Sequence, residues 1–324
     1  MAVLAYTENW NGEFKKLTLE LVSYAHAIAE KMGTQVVCLT VGNVSEAKLL
    51  ELGKFGASKV IVASGEGLQN FTSQSYTKLI SEVATQQNAQ VLVFANNASG
   101  ESLAPRVSIR LKAGLAPNVV DVPSSFEPLV VRKKAFSGKA FVDFKITSEV
   151  KVLTLTQNAY KIVENDVNCA IEKYDFAVSQ ADLAVVPKQI IKSDGKMSVT
   201  DAEVLISGGR GLKGPENWGM VEEMAQILGA GTCCSRPVAD LGWRPHHEHV
   251  GQTGKVVAPN LYIAIGISGA IQHLAGVNGS KVLVAINKDP EAPFFESADY
   301  GIIGDAFDVV PRLNAAFKKF KSAQ

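Results

Sequence analysis

The chain has 324 residues, about twice the length of a common domain, and this length predicts two domains. Hydrophobic residues make up 47% of the chain and charged residues 20%, a composition that excludes a disordered protein. Lys plus Arg and Asp plus Glu both number 32, so the basic excess of a duplex-binding domain is missing and nucleic acid is not an expected partner.

The N-terminal residues, the apolar stretches and the cysteines predict the cellular location of the chain. The first residues carry no cationic segment and reach Glu8 before a signal-peptide core is complete. The longest apolar stretch, around Leu261 to Ile271, is about half of the ~20 residues that a bilayer requires. Four cysteines without a C-x-x-C spacing indicate buried, reduced thiols rather than a disulfide framework or a zinc site. We therefore expect a soluble, cytoplasmic protein that is not inserted in a membrane.

The first 113 residues alternate short apolar runs with segments of helical period, as in βαβ units with a parallel sheet. The apolar runs predict strands, which fall at 3–6, 35–41, 59–62 and 90–95. The periodic segments predict helices, which fall at 17–32, 45–52, 72–87 and 101–112. This part is therefore a Rossmann-like α/β domain.

The pattern changes after Pro117. Between residues 118 and 177 apolar and polar residues alternate, and Ser137-Gly138 suits a hairpin turn, so we expect an antiparallel extension of the same sheet. A polar stretch at 187–196 then separates this region from a second alternating pattern. The predicted domains are therefore 1–191 and 192–324.

The second domain is also predicted to be α/β. Its apolar runs predict strands at 203–207, 261–267, 281–286 and 300–303, with helices at 216–228 and from about 270. Each strand ends in small or polar residues, at the edge where open α/β sheets bind ligands. A binding site is therefore expected along the carboxyl ends of these strands.

A glycine-rich loop, Gly209-Arg-Gly-Leu-Lys-Gly214, follows the first of these strands and fits G-x-G-x-x-G. Before a helix, such a loop offers bare amides to a diphosphate. The acid that usually binds the ribose about 20 residues later is missing, because residues 224–239 contain no Asp or Glu. The loop alone leaves open an NAD(P)-dependent oxidoreductase, a regulatory nucleotide-binding module, and tight packing without a ligand.

Two further segments admit more than one interpretation. Val250-Gly-Gln-Thr-Gly-Lys255 is too short for a phosphate-binding P-loop and lacks the Ser or Thr that binds magnesium, so it predicts either a hairpin turn or a turn that offers polar groups to a planar ring. His246-His-Glu-His249 would place His247 and His249 on one strand face, as in a metal site. Because no second cluster supplies further ligands, an exposed polar loop is favoured and no metal is predicted.

Ser268-Gly-Ala-Ile-Gln-His273 lies at a predicted strand-to-helix junction, where a hydroxyl and successive amides suit a phosphate oxygen. His273 is either a ligand there or a structural residue with its own partners. The chain shows no nucleophile elbow, paired carboxylate or Cys/His pattern, so no catalytic residue is predicted. Nucleotide binding without an acid or base catalyst is the pattern that recurs.

Taken together, these segments resemble the alpha subunit of electron transfer flavoprotein in order and spacing across residues 203–313. The resemblance is carried by Ser207-Gly-Gly-Arg-Gly-Leu-Lys213, Ser235-Arg236, Val250-Gly-Gln-Thr-Gly-Lys255, Ile265-Gly-Ile-Ser-Gly-Ala-Ile-Gln-His273 and Ala285-Ile-Asn-Lys-Asp-Pro-Glu-Ala-Pro293. The N-terminal part is similar to the first domain of that family more loosely.

The resemblance implies one FAD, held mainly by the second domain, and a heterodimer in which the first domain packs on the beta subunit of electron transfer flavoprotein. It implies that FAD contacts sixteen positions: Arg210, Ser235, Arg236, Val250, Gly251, Gln252, Thr253, Ser268, Gly269, Ala270, Ile271, Gln272, His273, Asn287, Asp305 and Ala306. The family often has leucine after the aspartate, and here Ala306 stands in that place.

The resemblance also implies roles. Arg236 matches the arginine beside the isoalloxazine ring, and Thr253 and His273 match the residues at flavin N5 and at the N1/O2 edge, respectively. The positive charge of Arg236 and a hydrogen bond donated by His273 would favour the addition of an electron to the ring. The implied function is an electron carrier, not an enzyme. It takes single electrons from acyl-CoA or other flavin dehydrogenases, as in fatty acid beta-oxidation, and passes them to a membrane quinone oxidoreductase or another acceptor.

Overall fold

The computed structural model describes residues 1–136, 140–177, 185, 187–189, 198–200 and 202–322. The chain divides into two compact units, Met1–Ile191 and Lys192–Gln324, each with a parallel-dominated sheet. Of the polar stretch at 187–196, only residues 187–189 are among the described residues. None of the described helices combines the length and the apolar character that a membrane span requires.

The first unit is built on a ten-stranded sheet. Its strands are β1 (Ala2–Tyr6), β2 (Gln35–Val41), β3 (Lys59–Ser64), β4 (Ala89–Ala95), β5 (Gly114–Val119), β6 (Ser125–Phe126), β7 (Leu129–Ala135), β8 (Ala140–Ile146), β9 (Lys151–Leu155) and β10 (Ala170–Asp175). Its helices are α1 (Lys16–Lys31), α2 (Glu46–Glu51), α3 (Ser73–Gln86) and α4 (Ala98–Leu111). A short ribbon of Asn9–Trp10 and Glu13–Phe14 forms a separate sheet.

Both faces of this sheet are covered by helices. Alternate residues of β1 point to opposite sides, so that Val3 packs in a core with α1 and α2 whereas Leu4 packs in a core with α3 and α4. From edge to edge the strands run β8–β7–β5–β9–β4–β1–β2–β3–β10, with β6 beside β7. The Rossmann-like prediction for this unit is therefore confirmed.

The antiparallel extension is present but shorter than the sequence predicts. Among the described strands of this sheet, β6 and β8 pair antiparallel with β7, with Ala135 opposite Ala140, and β7 pairs antiparallel with β5 at Val119 and Lys133. The predicted turn at Ser137-Gly138 lies outside the described residues. Strand β9 instead runs parallel between β4 and β5, and β10 runs parallel to β3. Residues Val152–Leu155 are fully buried, as expected for a central parallel strand, and apolar alternation alone does not reveal strand direction.

The second unit has five parallel strands, β11 (Val204–Gly208), β12 (Gly231–Cys234), β13 (Leu261–Ile265), β14 (Val282–Asn287) and β15 (Tyr300–Ile303). Its helices are α5 (Gly219–Leu228), α6 (Arg236–Asp240), α7 (Ile271–Val277) and α8 (Ala306–Ser322). One core packs α5, α6 and α8 against the sheet, and a second core on the other face includes Tyr262, Val277 and Phe294.

The strand order in this unit is β12–β11–β13–β14–β15. Numbered within the unit, this is the order 2-1-3-4-5 of a doubly wound sheet, whose switch point lies between its first and third strands. The switch point therefore falls between the carboxyl ends of β11 and β13. Strand β13 ends at Ile265, two residues before the predicted end, because Gly266 turns the chain with a φ of 63°.

Candidate functional site

A cavity of about 510 Å³ lies at the carboxyl ends of β11 and β13. Its lining comes from the loops that follow β11, β12, β13 and β14 and from the segment 249–253. The residues are Arg210, Gly211, Ser235, Arg236, Pro237, His249, Val250, Gly251, Gln252, Thr253, Gly266, Ile267, Ser268, Ala270, Gln272, His273, Asn287 and Asp289. The size is within the range of small-molecule sites, and the position is the one where doubly wound sheets bind nucleotides.

Backbone hydrogen bonds join these loops side by side. The amide of Ser235 donates to the Gly208 carbonyl at 3.1 Å, and the amide of Val250 donates to the Cys234 carbonyl at 3.0 Å. The amide of Gln252 donates to the Gln272 carbonyl at 2.7 Å. Segments that lie far apart in the sequence are therefore held in one rigid rim around the cavity.

The glycine-rich loop contributes to this rim in a way that corrects the sequence-based prediction of bare amides. The amide of Gly209 donates to the Ile265 carbonyl at 2.9 Å, and that of Gly211 donates to the Gly266 carbonyl at 3.0 Å. A Cβ on Gly211 would lie 2.6 Å from the Gly266 Cα. The loop is thus glycine-rich because it packs backbone against backbone on the chain after β13, and it presents the Arg210 side chain to the cavity.

The segment after β13 differs from that loop. None of the amides of residues 268–272 donates to an acceptor in the described part of the chain. Asn287 fixes the segment, because its Nδ2 donates to the Ile267 carbonyl at 3.0 Å while its Oδ1 accepts from the Asp289 amide at 3.1 Å. Unengaged amides beside a cavity offer hydrogen bonds to an anionic or carbonyl oxygen of a ligand.

Two arginines line the cavity. Arg236 opens α6, is 64% exposed in its side chain, and pairs with Asp240 at 3.4 Å. Arg210 makes no ion pair with any described residue. The acid on the lining is Asp289, whose Oδ1 accepts from the Glu291 amide. The cavity therefore suits an anionic ligand.

His273 is the most buried charged or titratable side chain of the lining, with 7% of its surface exposed. Burial lowers its pKa to about 4, the nearby His249 lowers it further, and a backbone contact with Val250 acts in the opposite sense. Nε2 lies 2.9 Å from the Tyr262 hydroxyl, whereas Nδ1 is buried with no hydrogen-bond partner among the described residues. The imidazole is therefore neutral at physiological pH.

A buried ion pair supports the segment before the turn at 250–255. Arg244 donates from Nε and Nη2 to the two carboxylate oxygens of Glu248 at 2.7 and 2.8 Å, and Glu248 is 5% exposed. Residues 246–248 form a 3₁₀ turn and not a strand, so the favoured loop is confirmed at His246 and His247, which are exposed, whereas Glu248 and His249 are buried. His249 faces the cavity, and the described residues contain no His, Cys, Asp or Glu group suited to a metal ion.

The cavity brings together twelve of the sixteen residues proposed from the resemblance. The other four do not line it: Gly269, Ile271, Asp305 and Ala306. Gly269 packs against the Phe294 backbone, Ile271 is 66% exposed, and Ala306 belongs to a core cluster. Asp305 caps α8, since its Oδ1 accepts from the Phe307 amide at 3.0 Å while its Oδ2 lies 3.7 Å from Lys213 Nζ.

Six lining residues were not among the proposed contacts. They are Gly211, Pro237, His249, Gly266, Ile267 and Asp289. Four adjoin proposed residues in the sequence, Gly266 lies two residues before Ser268, and Asp289 lies two residues after Asn287. Extending each predicted segment by one or two residues therefore finds them all.

A parallel sheet of order 2-1-3-4-5, with arginines and unengaged amides gathered at its switch point, defines a protein of the doubly wound α/β class whose cavity suits a nucleotide. Comparison with known families narrows the class. Residues 3–179 match the electron transfer flavoprotein domain, and residues 198–278 match the electron transfer flavoprotein FAD-binding domain. The chain belongs to the electron transfer flavoprotein alpha-subunit family.

Relatives along the whole chain agree with this assignment. The chain is 37% identical to electron transfer flavoprotein subunit alpha of Bacillus subtilis, over 98% of this chain and 97% of the relative. It is 35% identical to protein FixB of Clostridium saccharobutylicum, over 99% and 98% of the two chains. It is also 35% identical to a probable mitochondrial electron transfer flavoprotein subunit alpha of Caenorhabditis elegans, over 97% and 93%.

Proposed function

We propose that this chain binds one FAD in unit 192–324 and pairs with an electron transfer flavoprotein beta subunit, against which unit 1–191 packs. In this proposal the pair carries single electrons from acyl-CoA dehydrogenases or other flavin dehydrogenases, as in fatty acid beta-oxidation. The electrons pass to an electron transfer flavoprotein–quinone oxidoreductase or another acceptor. The chain acts as a carrier and has no small-molecule substrate of its own.

The observation that carries the proposal is the convergence of five separate stretches on one cavity at the switch point. They are represented there by Arg210, Arg236, Gln252, His273 and Asn287. An NAD(P)-dependent oxidoreductase is not favoured, because the amides of Gly209 and Gly211 that would bind its diphosphate already donate to Ile265 and Gly266.

The residues present fit FAD. The amides of 268–272 and the guanidinium of Arg210 suit the diphosphate, because the amides donate to no acceptor and the guanidinium makes no ion pair within the part of the chain that the structure describes. The buried Nδ1 of His273 has no hydrogen-bond partner in that part either. When bound, FAD supplies a ring that accepts and releases electrons one at a time. His273 is the residue that would donate a hydrogen bond, and Arg236 would supply positive charge.

The exposure of Arg236 limits its effect. A unit charge ~4 Å from another is worth ~4 kcal/mol at an effective dielectric of ~20, but only ~1 kcal/mol in water. Because Arg236 is 64% exposed and pairs with Asp240, the lower figure applies. We therefore propose that Arg236 raises the affinity for an added electron by about tenfold or less, which is ~59 mV or less for one electron.

The cytoplasmic location expected from the sequence stays part of the proposal. All four cysteines are free thiols, and Cys38, Cys233 and Cys234 are buried. Burial raises the pKa of the Cys233 and Cys234 thiols to about 12. Thiols of this kind are typical of a reducing compartment.

The test is to purify the chain together with a beta subunit and to titrate the complex with electrons while recording its visible spectrum. We expect one FAD per alpha chain, reduction in separate one-electron steps, and rapid reduction by a reduced acyl-CoA dehydrogenase. Arg236→Ala should lower the first midpoint potential and Asp240→Asn should raise it, with FAD bound in both. A colourless complex that binds NADH, or one that carries AMP or ATP without flavin, would contradict the proposal.

A further inference from the structure

Tyr262 lies on β13, in a row of buried groups, and contacts His273 of the cavity lining. Its ring is fully buried and stacks on Phe294, with the two ring planes 7° apart and the centroids 6.4 Å apart. The Cys233 thiol donates to the Tyr262 hydroxyl at 3.9 Å, and that hydroxyl lies 2.9 Å from Nε2 of His273. Tyr262 does not line the cavity, so it acts on a ligand there only through His273.

The donor in the hydrogen bond between Tyr262 and His273 follows from which of the neighbouring groups carry protons. The Tyr262 oxygen accepts from the Cys233 thiol, so its own proton is available to Nε2. Burial raises the pKa of Tyr262 well above its ordinary value, so the phenol keeps that proton. A hydrogen bond at one ring nitrogen of a neutral histidine determines that the other nitrogen carries the proton.

We infer that Tyr262 is a positioning residue that holds His273 as a neutral imidazole protonated at Nδ1. Nδ1 is the ring atom that has no hydrogen-bond partner among the described residues. The Nδ1–H group is therefore the donor that His273 offers to the nearby Val250 backbone or to a carbonyl or anionic nitrogen of a bound cofactor. In this form His273 gives the site a directed hydrogen bond and no full positive charge. The link to the cofactor rests on the proposed FAD site, but the tautomer does not.

The tautomer is measured by ¹⁵N NMR of the complex with the beta subunit, with histidine labelled in the alpha chain. The chain has five histidines, and His273→Gln identifies the signals of His273 by their loss. In the wild type we expect a protonated Nδ1 and an unprotonated, hydrogen-bonded Nε2. The opposite assignment, or a doubly protonated ring at pH 7, would overturn the inference without any variant of Tyr262.

Tyr262→Phe keeps the ring and its stacking and removes the hydroxyl. We expect His273 to become a mixture of tautomers, and the first one-electron reduction of bound FAD to become about tenfold less favourable, a fall of ~59 mV. Tyr24→Phe is the matched control, because it removes another buried hydroxyl, which donates to the Asp121 carbonyl at 3.0 Å in the other unit. The control should change neither the His273 signals nor the potential.

A double-mutant cycle separates positioning from a merely structural role. In a His273→Gln background, Tyr262→Phe should no longer change the potential, because the residue through which it acts is gone. An equal fall in both backgrounds, or unchanged His273 signals in Tyr262→Phe, would refute the inference. If the wild-type complex holds no flavin, the proposed function fails, and the NMR signals still decide the tautomer.

Discussion

Replacing Arg244 by methionine removes one partner of the buried pair that holds residues 244–248 ahead of the turn at 250–255. The Arg244 side chain is 16% exposed and that of Glu248 is 6% exposed, so neither charge is well screened by water. The hydrogen bond that Arg244 donates to Glu248 raises the pKa of Arg244, so the guanidinium is charged in the folded state. The methionine side chain fills much of the same space but leaves the carboxylate unpaired.

The expected loss of stability has two parts. Leaving a buried charge without its partner costs about 3–5 kcal/mol. The guanidinium also lies 5.2 Å above the Trp218 ring, and losing that cation–π contact costs about 0.5–2 kcal/mol. Some water will reach the carboxylate in the variant, so we expect a loss of about 4 kcal/mol for the second unit.

The assay is urea unfolding of the complex followed by tryptophan fluorescence, because Trp218 and Trp243, two of the three tryptophans, lie in the second unit. A matched control is Lys318→Met, which breaks an exposed pair with Glu223 and should cost below about 1 kcal/mol. Adding Glu248→Gln to Arg244→Met removes the stranded charge and should restore much of the loss.

The reasoning would be refuted by either of two results. One is that Arg244→Met lowers the unfolding midpoint no more than Lys318→Met does. The other is that the added Glu248→Gln restores nothing, since the cost would then come from lost packing and not from an unpaired charge. A changed slope of the urea transition would instead show that the variant alters the folded or unfolded ensemble.

Gly211→Ala should destabilise the second unit and weaken the binding of FAD, because the added Cβ would lie 2.6 Å from the Gly266 backbone. Urea unfolding and flavin release measure the two effects, with Gly219→Ala as the control, since a Cβ there would have nothing within 4 Å. Equal effects of the two substitutions would contradict the packing role of Gly211. The folded-state pKa of His273, about 4, is below its ordinary value of 6.5, so the unfolded chain binds the extra proton first and stability falls as the pH drops from about 6.5 to 4. The loss is on the order of 3 kcal/mol. Urea midpoints at pH 7 and 4.5 should show a smaller fall in His273→Gln, and an equal fall would exclude this imidazole as the cause.

Most strands and helices follow from the sequence, because burial on one or both faces leaves a period in the apolar residues. Strand β2 spans Gln35–Val41 and β15 spans Tyr300–Ile303, as their apolar runs predict. Strand β12 and helix α6 were missed because Gly231–Cys234 and Arg236–Asp240 are too short to show a period. Helix α8 was missed although Asp305 and its apolar spacing signal a helix start.

The sequence identifies the stretches that line the cavity, but it does not identify which individual residues in them face it. Five short stretches carry the resemblance, and the strand order places the ends of β11 and β13 side by side at the switch point. Asp305 and Ala306 lie outside the cavity lining and help to begin and pack α8, and their contact with FAD stays a prediction of the resemblance. The sequence offered no sign that Gly209 and Gly211 use their amides within the protein.

The sequence by itself determined the α/β class, the presence of two successive strand–helix patterns, and the family, because local periodicity and short motifs are properties of neighbouring residues. Only the tertiary structure decided that β9 lies inside the first sheet, that the Asn287 side chain donates a hydrogen bond to the Ile267 carbonyl, and that Tyr262 forms a hydrogen bond with His273. These contacts join residues that different elements bring together, and their hydrogen-bond partners depend on strand order and packing. Periodicity reports which side chains are buried, but it does not report what they touch once they are buried.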